Sequence, residues 1–240
     1  MTPAPAWTPY CGAAPDLGEW RWNLDPILLL VLAAATGLIV LRLHGPRRLF
    51  GLAAMAVLAV GFVSPLCALS SALFSVRTVH HVLLVAVAAP LLAWALPERR
   101  QGSILLATAV QALIFWVWHA PDAYSSALSN DLVYWVMQIS LLVSATWFWG
   151  EARAASAPAA VVALLAAMLA MGLLGAILTF AGQSVYAPHA YTTLAWGFTP
   201  LEDQQAAGLI MWAPAAALYL FAALWRLGAL LGPDVEARAA

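Results

Sequence analysis

The side chains able to do chemistry in this 240-residue chain are few and unevenly spread. His80 and His81 are adjacent, His119 closes the segment FWVWH, and His189 lies in VYAPHAY. Glu202, Asp203, Gln204 and Gln205 form an unbroken polar run in TPLEDQQAAGLIMW, Thr199–Trp212. Imidazole and thioether are ligands that suit copper, so His81 and His119, with Met211 as a softer contact, are the candidate metal ligands. Cys11 and Cys67 are not in a CxxC or zinc-type spacing. A disulfide, a thiol pair for Cu(I) and no pairing at all stay open for them. Arg77 and His81 are four apart and share a helix face. Arginine is a fixed cation and no ligand, so that face is equally suited to an anion or to a carboxylate such as Asp203. His80 lies about 100° from His81 around the same helix. Gln204, Gly208 and Met211 form one stripe at helical spacing, but Met211 sits about 10 Å below Gln204, too far to share an ion with it.

Each of these residues also has an ordinary reading. A histidine at a helix end packs its ring and turns its polar tip to water or a carbonyl. Met211 fills core space, and Gly208 lets two helices approach closely. Acids in a first helical turn suit the positive end of the helix. That last reading accounts for one acid and leaves four consecutive polar groups unexplained.

The elements that must position these groups are apolar. Hydrophobic residues make up 64% and charged residues 9%, against about 25% charged in a soluble domain. Seven apolar runs predict an all-α integral membrane protein, a seven-transmembrane-helix bundle: Leu24–Leu43, Leu49–Leu69, Val79–Leu96, Ser103–Trp118, Leu132–Trp149, Pro158–Ala181 and Ala206–Leu231. Each is close to the roughly 20 residues that span a bilayer. Pro65, Pro90 and Pro214 predict kinks rather than ends. Most tryptophans fall near span ends, as an interfacial belt would place them.

All ten basic residues are arginine. Arg42, Arg47, Arg48, Arg99, Arg100, Arg153, Arg226 and Arg238 fall on alternate connections and the C-terminal tail. This predicts the N-terminus outside and the C-terminus cytoplasmic. Residues 1–25 then form an outer, periplasmic tail without the pattern of a cleavable signal. Residues 26–231 form the membrane domain and 232–240 a cytoplasmic tail. His80, His81, His119, His189, the polar run and both cysteines share the outer face, and His44 joins the inner basic collar.

A net charge of −1 gives no broad field for nucleic acid. No order of Ser, His and Asp, paired carboxylates or phosphate loop suggests an enzyme. Haem is not expected, because the histidines stand at helix ends rather than facing one another in span interiors. A small-solute transporter would carry charges near mid-membrane, and these spans hold few.

LEDQQAAGLIMW (Leu201–Trp212), FWVWHAPDAYSSAL (Phe115–Leu128), SVRTVHHVLLVAVAAPLL (Ser75–Leu92) and Gly175–Tyr191 resemble blocks of the polytopic CtaG family of cytochrome c oxidase assembly factors. The resemblance implies a multi-pass protein of the bacterial inner membrane that aids biogenesis of a haem–copper oxidase. It would assist copper-centre formation or hold a nascent oxidase subunit at the outer face. A metal-free structural partner of such a subunit is the alternative. His81, His119, Asp203, Gln204, Gln205 and Met211 match the family's pattern. The chain departs from it at Arg77, where a histidine is expected, and at Tyr134 and Gln138, which replace a His–x–x–x–His pair. His80 is the candidate stand-in for the missing neighbour of His81. Asp203 would orient a histidine or pair with Arg77.

Overall fold

The computed structural model describes residues 9–98 and 102–229. Arg99, Arg100, Arg238 and the proposed tail 232–240 lie outside the described residues. Among the described residues the regular structure is helical, with no strand.

Helix α1 (Pro26–Arg42) begins where Asp25 Oδ1 accepts from the amides of Ile27 at 2.8 Å and Leu28 at 3.0 Å. This satisfies donors that would otherwise be orphaned at a helix start. Helix α2 runs Gly45–Phe62 and the short α3 runs Pro65–Ala72. Pro65 therefore ends a run rather than kinking it. Its ring cannot follow a helical turn, and Ser64 caps the new helix through the Leu66 amide. Helix α4 spans Phe74–Ala95. Helices α5 (Ile104–His119) and α6 (Pro121–Ala127) meet at a 77° bend. Helix α7 (Asp131–Ala154) is capped by Asn130, α8 is Ala157–Thr179, and α9 is Pro200–Gly228.

Pro90 and Pro214 stay inside continuous spans, as their positions in the apolar runs predict. The turn that meets each proline is widened: Leu83–Ala88 just before Pro90 and Met211–Ala215 around Pro214 have π-helical hydrogen bonding. The wider turn relieves the clash of the ring with the carbonyl four residues back. It also frees backbone acceptors, and Trp149 Nε1 donates to Val85 O at 2.9 Å.

Five helices, α2, α4, α7, α8 and α9, are long and apolar enough to cross a membrane, and the bent α5–α6 pair makes a sixth. α1 is apolar but shorter, at 17 residues. Side chains such as Leu105, Leu169, Leu173 and Phe221 face outward. Arg77, four histidines, Gln138, Asp203 and Gln204 face inward. This inside-out distribution suits a lipid environment.

α4 sits centrally and packs on α2, α3, α7 and α9. α5 joins α7 to α8, which closes α4, α7, α5, α8 and α9 into a ring, with α1 and α2 outside it. Small residues make the helix approaches possible. A Cβ on Gly208 would meet Gly175 O at 2.5 Å and Thr179 N at 2.7 Å, so α8 and α9 touch backbone to backbone there.

Candidate functional site

The polar run of α9 is a set of four ties. Thr199 and Glu202 form a capping box: the Glu202 amide donates to Thr199 Oγ1, and Glu202 Oε2 accepts from the Thr199 amide at 2.8 Å. Asp203 reaches across to α4. Its carboxylate accepts from the Phe74 amide at 2.6 Å, the Ser75 amide at 3.2 Å and the Ser75 hydroxyl. Leu73, the residue before α4, has no capping side chain, so α9 supplies the cap in trans. Gln204 Oε1 accepts from the Val185 amide at 2.8 Å, while its Nε2 donates to Gln183 O at 3.3 Å. Gln205 Nε2 donates to Ala181 O at 3.4 Å. The two amides thus clamp the loop that follows α8. Asp203 neither orients a histidine nor pairs with Arg77, because the bare amides of α4 claim its oxygens.

That clamped loop carries His189. Its Nδ1 donates to Ala72 O at 3.2 Å, and its Nε2 accepts from the Tyr124 hydroxyl at 2.7 Å. Both nitrogens are used, so His189 is a strut between α3 and α6. Burial, with Arg77 adding to it, holds its pKa down to about 3, which keeps the ring neutral. Tyr186, in the same loop, donates to His119 O at 2.7 Å. Tyr124 and Tyr186 were not singled out by sequence reasoning. The available signal was an aromatic hydroxyl inside each of two histidine-bearing segments.

The helix tips bearing the remaining histidines do converge. His81 on α4 and His119 at the end of α5 have ring centroids 5.6 Å apart, in edge-to-face orientation. Both rings are buried. His119 Nδ1 lies 2.7 Å from Phe115 O and donates to it, so the lone pair is on Nε2. Neither nitrogen of His81 has a hydrogen-bond partner. His80 points elsewhere. Its ring packs 4.8 Å from Phe62 on α2, in space that exists because residue 61 is glycine; a Cβ there would lie 2.9 Å from His80 Cδ2. Adjacent helical residues face different neighbours, so His80 does not replace the missing partner of His81.

The other candidates divide. Arg77 is wholly buried and donates through Nη1 to the Tyr134 hydroxyl at 3.4 Å, while Nε and Nη2 lack partners. Tyr134 is also 3.6 Å from Cys11 Sγ, and Gln138 is buried one turn further along α7. Met211 lies at the α8–α9 crossing, its Cβ 3.1 Å from where a Cβ on Gly175 would stand. Cys11 and Cys67 form a disulfide with Cα atoms 5.4 Å apart, which settles the three alternatives in favour of the covalent one. It straps the segment after residue 9 onto α3, and Tyr10 stacks on Tyr134 at 5.2 Å. Among the described residues, no group of three or more His, Cys, Asp or Glu gathers at metal-binding spacing.

Deeper in the bundle, Gln111 Nε2 donates to Tyr219 at 3.0 Å beside a cavity of about 10 Å³, room for about one water.

A ring of apolar helices with a polar clasp and two buried imidazoles gathered toward one end defines a polytopic membrane protein with a buried polar cluster. Among known families, residues 99–231 match the cytochrome c oxidase caa3 assembly factor family, Caa3_CtaG. The match covers more than half of the chain, and the protein belongs to this family of oxidase assembly factors. The matched region carries His119, Tyr134, Gln138, His189, the α9 clasp and Met211, whereas Arg77, His80, His81 and both cysteines precede it. Neither the curated proteins nor the solved structures compared contain a match.

Proposed function

We propose that this protein works at the outer face of the bacterial inner membrane, in assembly of a caa3-type cytochrome c oxidase, by presenting a cuprous ion to an oxidase subunit. The observation that carries this is the buried His81–His119 pair. An imidazole without a partner on either nitrogen, beside a second whose Nε2 keeps its lone pair, leaves groups that need an explanation. A soft monovalent ion supplies one. Zinc is a poorer fit, because its sites use three or four protein ligands. The donor set is the two imidazoles: Tyr134 and Gln138 are weak copper ligands, the thiols are bonded to each other, and Met211 belongs to the α8–α9 contact. Copper here is cargo, and no covalent step on the protein is required, in keeping with a non-catalytic assembly role.

The full topology in this reading is seven crossings, with α1 the first, the N-terminus outside and the C-terminus inside. Two features support it. The arginines collect on alternate connections, and the disulfide belongs to an oxidising compartment.

The test is copper content of the purified protein with and without His81→Ala and His119→Ala together. The expected result is near-stoichiometric Cu(I) in the wild type and loss of at least about tenfold in the double variant, with normal protein level and lowered oxidase activity in cells. Arg77 favours a second reading, a metal-free partner that holds an oxidase subunit. That reading expects no copper in either protein, together with recovery of an oxidase subunit with both.

A further inference from the structure

Arg77 precedes His81 by one turn of α4, so the two side chains leave the same face. The guanidinium is permanently charged, wholly buried, and half unpartnered. The ion pairs among the described residues are Arg21–Glu19 and Arg153–Glu98, and neither involves it. Asp203, the acid of this cluster, has its oxygens occupied by the start of α4. Around Arg77 stand neutral or polar groups: Tyr134, whose ring centroid is 5.4 Å from its Cζ, with His80 and His81 on its own helix.

We propose that Arg77 is a charge filter, a specificity-determining residue that makes the His81–His119 pair accept a monovalent cuprous ion and reject divalent ions. The proposal rests on the copper reading above and adds the basis of its selectivity. A fixed positive charge raises the cost of an incoming cation in proportion to that cation's charge. For an ion roughly one helical turn away, taken as about 7 Å, and an effective dielectric of about 20, the cost would be about fifty-fold in affinity per elementary charge. Cu(I) meets it once, whereas Zn(II) and Cu(II) meet it twice. Two imidazoles are a sufficient donor set for the first and an incomplete one for the others. A histidine at position 77 would have supplied a ligand. Arginine supplies a barrier with the same reach.

The experiment uses the full-length protein in detergent. Cu(I) affinity is read by competition with bicinchoninate under ascorbate, and Zn(II) affinity by competition with a chromophoric chelator. The proteins are the wild type, Arg77→Met, Arg77→Gln and Arg77→Lys. Arg77→Met removes the charge at similar length, Arg77→Gln does so if the methionine variant fails to fold, and Arg77→Lys keeps the charge. The expected result is a fall of about fifty-fold in the Cu(I)-to-Zn(II) affinity ratio for the neutral variants, with both ions bound more tightly, and the wild-type ratio for Arg77→Lys. An unchanged ratio in the neutral variants, with Cu(I) still bound through His81 and His119, overturns the filter and leaves the copper reading standing. Binding of neither ion by the wild type overturns both.

Discussion

Asp203 shows how one side chain joins two helices. It follows Glu202 in sequence and does a different job, because the two side chains leave the first turn of α9 about 100° apart. Glu202 caps its own helix, and Asp203 caps α4. Asp203→Ala should therefore destabilise the protein by about 1–2 kcal/mol, the usual value of a helix cap. Asp203→Asn, which keeps an acceptor, should cost less. Thermal unfolding in detergent measures both, and equal, negligible shifts would remove the trans cap. His189 gives a pH prediction. Its ring is held neutral in the fold, with a pKa near 3 against an ordinary value of 6.5. Between those values the unfolded chain binds the extra proton. Its contribution is therefore complete above about pH 6.5 and declines as the pH falls. From pH 7 to pH 5 the loss is about 2 kcal/mol. His189→Gln should lower stability at pH 7 and flatten that pH dependence, as read from unfolding midpoints at the two pH values.

At the scale of elements, the α8–α9 crossing is set by two glycines, Gly175 and Gly208, in line with the close approach that Gly208 suggests in sequence. The Cβ of Gly208→Ala would collide with backbone atoms of α8, which side-chain rotation cannot relieve. The variant should lose about 1–3 kcal/mol and lower the yield of folded protein. Gly172→Ala, on α8 at the same helix pair, is the control. Its Cβ would sit 3.7 Å from Trp212 Cδ1, an ordinary contact, so its yield should match the wild type. The prolines carry a second lesson about elements. Pro90 and Pro214 stay within spans because the turns around them widen, whereas Pro65 ends α2 because Ser64 offers a cap for a new start. An apolar window does not distinguish these outcomes, since each depends on which backbone groups find partners.

For the whole molecule, the disulfide closes a loop with a sequence separation of 56 and fixes the segment around Cys11 onto α3. Replacing both cysteines by serine should cost about 2–4 kcal/mol. It should also increase proteolysis of the segment from Tyr10 to Trp22 in intact spheroplasts. The topology has its own test. In whole cells, a membrane-impermeant maleimide should label Asp122→Cys, in the exposed first turn of α6. With the orientation proposed above, it should leave Glu98→Cys, just beyond the last turn of α4, unmodified until the cells are lysed. The reverse pattern would invert the orientation read from the arginines.

Much of this was legible in the chain itself. Composition, the length of the apolar runs and the placement of arginine are properties of local sequence, and they sufficed for a helical membrane protein with its polar residues gathered at one end. The blocks around His119 and Asp203–Gln205 sufficed for the family. The partners of those residues were not legible. That His81 meets His119 while His80 turns into α2, that Asp203 caps a helix 129 residues away, and that His189 is a strut are outcomes of which helix tips lie side by side. A periodicity says which face a side chain leaves from. Only packing in three dimensions decides what stands opposite, and a buried polar group takes its role from that neighbour.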